Sequence, residues 1–228
     1  MTRKTNARIA GFTFLFYIAV AFPAMLLFNK ATSGEGIHAK LATIAQHTTE
    51  MRVAVLLGVL SSFSALVLAV TLYGITRDED NEIAMLGLAC RLGEGLVYAI
   101  PLSTLGLLWL ATAAGPNAPD VAAAGALGNF LLRVGEWTTT SSASLFAVGS
   151  TLFSYLLLRG RMIPVPLAWL GLVGSALLVV ALPLQLAEFL RGPVTQLMWI
   201  PVAVFELTLG PWLLIKGVRT TTLVRGSA

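Results

Sequence analysis

Six long apolar runs, separated by short polar turns, constrain this chain more than any motif does. They cover about residues 9–28, 52–75, 83–113, 129–158, 167–189 and 194–218. A helix needs roughly 20 apolar residues to cross the hydrocarbon of a bilayer, and each run reaches that length. Backbone polar groups in lipid need internal partners, so such runs become helices. Composition agrees: charged residues make up 11% of the chain and apolar residues 57%, against about 25% charged in a soluble domain. The predicted fold class is all-α: a polytopic membrane protein, a bundle of six transmembrane helices. One membrane domain over residues 1–228 leaves no room for a separate soluble one.

The first run follows Arg3, Lys4 and Arg8 as a signal peptide's apolar region would. It is too long for one, and no small-x-small cleavage site follows cleanly, so it reads as an uncleaved first span. In the first outer loop, Ile37, Leu41, Ile44 and Ala45 fall on one helical face, which predicts an interfacial helix. Pro101 predicts a kink in the third span. Residues 120–132 predict a short helix leading into the fourth, and Pro201 and Pro211 fall inside the sixth.

Basic residues outside the spans are asymmetric. One side holds nine: Arg3, Lys4, Arg8, Arg77, Arg159, Arg161, Lys216, Arg219 and, in an exposed tail, Arg225. The other holds four: Lys30, Lys40, Arg52 and Arg191. The richer side is expected in the cytoplasm, which puts both termini inside and the bundle in the inner (plasma) membrane. A net charge of +4 serves this orientation. No basic run is interleaved with aromatics, so nucleic acid is not an expected partner.

Three stretches carry a resemblance: RIAGFTFLFY over residues 8–17, RLGEG over 91–95, and YLLLRGRMIPVPLAWLGLVG over 155–174. They resemble a bacterial family of six-span membrane proteins catalogued as a domain of unknown function, over nearly the whole chain. The resemblance implies the six-span fold and carries no activity, cofactor or catalytic residue with it.

Ionisable residues inside spans are costly, about 2.5–3.5 kcal/mol near the bilayer centre on insertion scales, and so mark candidate sites. Arg91, Glu94, Arg133, Glu136, Glu188 and Glu206 are such residues. Arg91-Leu-Gly-Glu94 and Arg133-Val-Gly-Glu136 share one form, with each Arg on the helical face of its own Glu. Such a pair neutralises itself, and the glycine lets a neighbouring helix approach. Counting helical rise back from Ala113 places Arg91 and Glu94 near the inner boundary; counting from Leu158 places Arg133 and Glu136 near the outer one. Glu188, Gln185, Arg191 and Trp137 gather at that outer level. Glu206 lies near the midplane between two prolines. Arg133 is the basic partner the sequence offers but sits nearer the outer boundary, so Glu206 is expected to be protonated and to face the bundle interior, towards the Thr/Ser run of span four. The run Thr138–Ser142 with Ser144 either packs helices closely or lines a polar cavity.

Several chemistries lack their residues. Neither His38 nor His47 lies in a span, so a haem held between histidines is not expected. Cys90 is the single cysteine, with no in-span histidine to activate it. No metalloprotease or serine-hydrolase motif occurs, and no span interior holds a lysine for a Schiff base. No cofactor or metal is therefore expected. The expected function is binding or transport of a small or lipophilic molecule in a polar pocket in the outer half of the bundle, lined by Arg133, Glu136, Glu188 and Glu206, with Arg91 and Glu94 as a second polar pair. The alternatives are a small membrane enzyme acting on a lipid-embedded substrate, or an accessory subunit whose charges only pair.

Overall fold

A computed structural model describes residues 2–114 and 118–219. The tail with Arg225, and residues 115–117 of the turn after the third span, lie outside them. Among the described residues nine helices follow in order: α1 (Arg3–Ala31), α2 (Gly36–Gln46), α3 (Thr48–Thr76), α4 (Asn81–Tyr98), α5 (Leu102–Thr112), α6 (Val121–Arg159), α7 (Val165–Leu186), α8 (Val194–Leu197) and α9 (Ile200–Ile215). α4 with α5, and α8 with α9, each make one span. The total is six helical stretches long and apolar enough to cross a membrane, plus α2.

Local sequence sets the helix ends. Thr2, Asp80 and Asp120 each accept a hydrogen bond from a backbone N–H three residues on, at 3.2, 3.2 and 2.8 Å, satisfying donors that the helix itself leaves free. Pro164 precedes α7 and Pro166 sits in its first turn, where a missing N–H costs nothing. The Asp120 cap changes the expected outline of span four. Residues 121–132 are not a separate helix but the first turns of a continuous α6 of 39 residues.

Pro101 does more than kink the third span. α4 stops at Tyr98, residues 99–101 leave the helix, and α5 restarts at Leu102. Pro101 lacks an N–H and disfavours helical backbone at Ile100, so the ladder cannot run through. In span six, Pro201 lies in the first turn of α9, and Pro211 alone is interior.

Each span packs on the next in sequence and α9 packs back on α1, so the six close into a ring. Apolar clusters stack along it. One joins α1, α3, α6, α7 and α9 around Phe14, Leu72, Phe153 and Leu209 at the end that holds the N-terminus. A second joins α6, α7 and Val202 of α9 around Phe146 and Leu178. A third, at the opposite end, joins Ala31, Ile44, Met51 and Leu107. α2 covers this far end. Ile44 is fully buried and Ile37 and Leu41 lie against Gly128 of α6, whereas Ala45, expected on the same face, is exposed.

Candidate functional site

The break between α4 and α5 opens onto a cleft of about 760 Å³. Unwound backbone at membrane depth leaves polar groups unpaired, and is tolerated where it lines a cavity or is buried in protein. Tyr98, Ile100 and Pro101 at the break line this cleft, as do Phe28 of α1 and Gly58 of α3.

Two ion pairs also line it. On α6, Arg133 Nη1 lies 3.2 Å from Glu136 Oε2. After α7, Arg191 Nη2 contacts Glu188 Oε2, and Arg191 Nε donates to the Glu188 carbonyl at 3.1 Å. Both pairs are exposed. Glu188 adopts a left-handed backbone, φ 63°, unusual outside glycine, asparagine and aspartate and often found where function demands it. Close by, Gln185 Oε1 is buried without a hydrogen-bond partner among the described residues and belongs to the same lining. The Thr/Ser run divides its work. Thr138, Thr139 and Thr140 border the cleft, Thr140 and Ser144 bond back to carbonyls of α6, and Ser142 Oγ donates to the Glu94 carbonyl of α4 at 3.0 Å.

A second polar group lies deeper in the ring. Arg91 Nη1 and Glu94 Oε2 are 2.9 Å apart, with side chains only 2% and 7% exposed. The contact is an ion pair by distance but lacks hydrogen-bond alignment, and Arg91 Nε, Arg91 Nη1 and Glu94 Oε2 have no hydrogen-bond partner among the described residues. The Arg91 guanidinium lies over the Phe146 ring, 4.7 Å from its centroid, a cation–π contact that strengthens where water is excluded. Gly149 makes room for it: a Cβ there would come within 2.7 Å of Arg91 Cγ.

Glu206 belongs to this deeper group and does not line the cleft. Its electrostatic neighbours are Arg91 and Glu94, not Arg133. Helix bounds explain the difference. α4 begins at Asn81, ten residues before Arg91, so Arg91 lies about 15 Å along the helix from the end that holds the termini. Glu206 lies nine residues from the same-side end of α9 at Ile215, about 14 Å. The two share one level. Counting back from Ala113 assumed an unbroken span and put Arg91 at the boundary. Tyr17 of α1 lies near enough to this group for the charges of Glu94, Glu206 and Arg91 to act on its hydroxyl.

The expected residues therefore fall in two groups. Arg133, Glu136 and Glu188 share the cleft; Arg91, Glu94 and Glu206 share the ring interior. Tyr17, Tyr98 and Phe146 were missed by sequence reasoning, because aromatics in an apolar span carry no signal that separates a polar site from a core. Tyr98 lines the cleft.

A closed ring of six apolar helices with a broken span facing a polar cleft defines a multi-pass membrane protein. The chain belongs to the DUF4386 family, a domain of unknown function, whose model matches residues 9–217. Comparison with curated proteins and with solved structures found no match.

Proposed function

We propose that the protein binds a small amphipathic molecule in the cleft at the α4–α5 break and moves it into or across the membrane. The carrying observation is that a discontinuous span, two ion pairs and an unpartnered Gln185 carboxamide oxygen meet at one cavity. Discontinuous helices commonly frame substrate sites in transporters, where helix ends and freed backbone groups supply polar contacts. The lining here is mixed. Phe28, Leu107 and Trp137 offer apolar contact, and Glu188 and Gln185 offer acceptors. That combination suits a ligand with an alkyl body and a hydrogen-bond-donating head such as an ammonium. In this reading residues 1–228 act as one domain in a bacterial inner membrane, with both termini cytoplasmic and the cleft towards the outside.

Trp137 reports on the site. In a variant that keeps Trp137 and changes Trp109, Trp169, Trp199 and Trp212 to Phe, a brominated alkylammonium amphiphile below its micellar concentration should quench Trp137 saturably. Glu188→Gln should weaken the quenching several-fold. Equal quenching by an uncharged brominated alkane, or an unchanged Glu188→Gln, overturns the reading.

The accessory-subunit reading has one observation in its favour. Arg91 and Glu94 pair with each other inside the ring, as charges that only stabilise a bundle would.

A further inference from the structure

We infer a second binding site, for the phosphate of an anionic glycerophospholipid, at the end of the bundle opposite the cleft. The loop between α6 and α7 and the segment after α9 enclose a groove of about 450 Å³ lined by Leu158, Arg161, Ile163, Val165, Trp169 and Arg219. The two arginines stand out by their pairing. At this end Arg3 pairs with Asp78 and Glu79, Arg77 with Asp78, and Arg159 with Asp80. Asp78, Glu79 and Asp80 are thus engaged, and neither Arg161 nor Arg219 has an acidic partner among the described residues. Lys4, Arg8 and Lys216 are also without one, but none of them lines this groove.

The groove is held in shape by backbone. Arg161 takes a left-handed conformation, φ 47°, which non-glycine residues avoid and which persists where surroundings impose it. Its N–H donates to the Leu158 carbonyl at 3.0 Å, and the Arg219 N–H donates to the Met162 carbonyl at 2.9 Å. The second bond ties the segment after α9 to the α6–α7 loop, bringing arginines 58 residues apart in sequence to one groove. Guanidinium groups match phosphate oxygens in two-point contacts. Trp169 is 51% exposed and Val165 46%, beside those charges. An indole at a membrane interface and an apolar wall below it suit the glycerol and first acyl carbons of a lipid, which free phosphate lacks. Basic pockets between spans are recurrent sites for acidic headgroups.

Native mass spectrometry of the purified protein in nonionic detergent tests this. Phosphatidylglycerol should be retained as a one-to-one adduct, at least three-fold above phosphatidylcholine at equal concentration. Arg161→Asn, which tolerates the left-handed backbone, combined with Arg219→Gln should remove that preference. Arg133→Gln, at the far end, should leave it intact. A thermal-unfolding series checks that the double variant is folded, and should show phosphatidylglycerol raising the midpoint of the wild type alone. Equal retention of both lipids, an unchanged preference in the folded double variant, or equal stabilisation by inorganic phosphate overturns the proposal.

Discussion

Arg91 carries its charge into the ring interior with two carboxylates and an aromatic face around it. Burying a charge is costly, and the cost is met here by Glu94 at contact distance and by Phe146 under the guanidinium plane. Removing Arg91 leaves Glu94 and Glu206 without a cation. Arg91→Leu is therefore expected to lose about 3–5 kcal/mol in stability, read as a lowered unfolding midpoint in detergent. The double change Arg91→Leu, Glu94→Leu should recover part of that loss, since no unpaired charge remains at that pair. Equal midpoints for the single and double variants would show that the two do not depend on each other. Arg133 and Glu136 form a contrast: their side chains are 61% and 65% exposed, and an exposed pair contributes about 1 kcal/mol or less. From sequence the Arg133–Glu136 pair is the one expected to be mutually dependent, on the ground that a buried partner left alone is costly. Burial separates them, and burial depends on which helices close around each, which four residues do not record. Glu206→Gln should keep the fold, because it preserves shape, and should leave the unfolding midpoint close to that of the wild type.

Helices approach closely where side chains are absent, and among the described residues the tightest approach to neighbouring backbone closes the ring. A Cβ on Gly11 of α1 would lie 2.4 Å from the Leu214 backbone nitrogen and 2.7 Å from the Gly210 carbonyl oxygen of α9. Backbone cannot rotate aside as a side-chain tip can. Gly11→Ala is thus expected to push α1 from α9 and cost about 1–3 kcal/mol by overpacking. Gly58→Ala, whose new methyl would meet only Tyr98 Cε1 at 4.0 Å, should be tolerated, and parallel melting curves compare the two. At this scale much was legible before the structure. The six runs, the face of α2 and the kink-prone Pro101 follow from hydropathy, period and proline chemistry. Two features were not. Pro101 was readable as a perturbation, but whether a proline bends or breaks a helix depends on whether neighbours satisfy the freed carbonyls. The continuity of α6 starts from Asp120 accepting from the Ala123 N–H, whereas the Ala/Gly-rich residues 120–132 read from sequence as a short separate helix.

Two ends of the molecule differ in charge and in what they offer. The end holding the N-terminus, the loop at residues 77–80 and the loop at 160–164 gathers most of the basic residues, and three acids there are engaged by Arg3, Arg77 and Arg159. The far end holds α2 and the mouth of the cleft. A transport reading requires the cleft to face one compartment and the basic end the other, and basic loops are retained in the cytoplasm. This makes topology the experiment on which the rest depends. Cys90 is the single cysteine, so a Cys90→Ala background accepts new reporters. Ser33, exposed in the loop before α2, and Glu82, exposed at the start of α4, lie at opposite ends and take part in no ion pair. Ser33→Cys should react with a membrane-impermeant maleimide on intact spheroplasts. Glu82→Cys should react after the membrane is opened and not before. The reverse pattern would turn the cleft towards the cytoplasm and remove the outward-facing site. Labelling of both positions from outside would break the six-span count itself, since an odd number of crossings separates them in this fold.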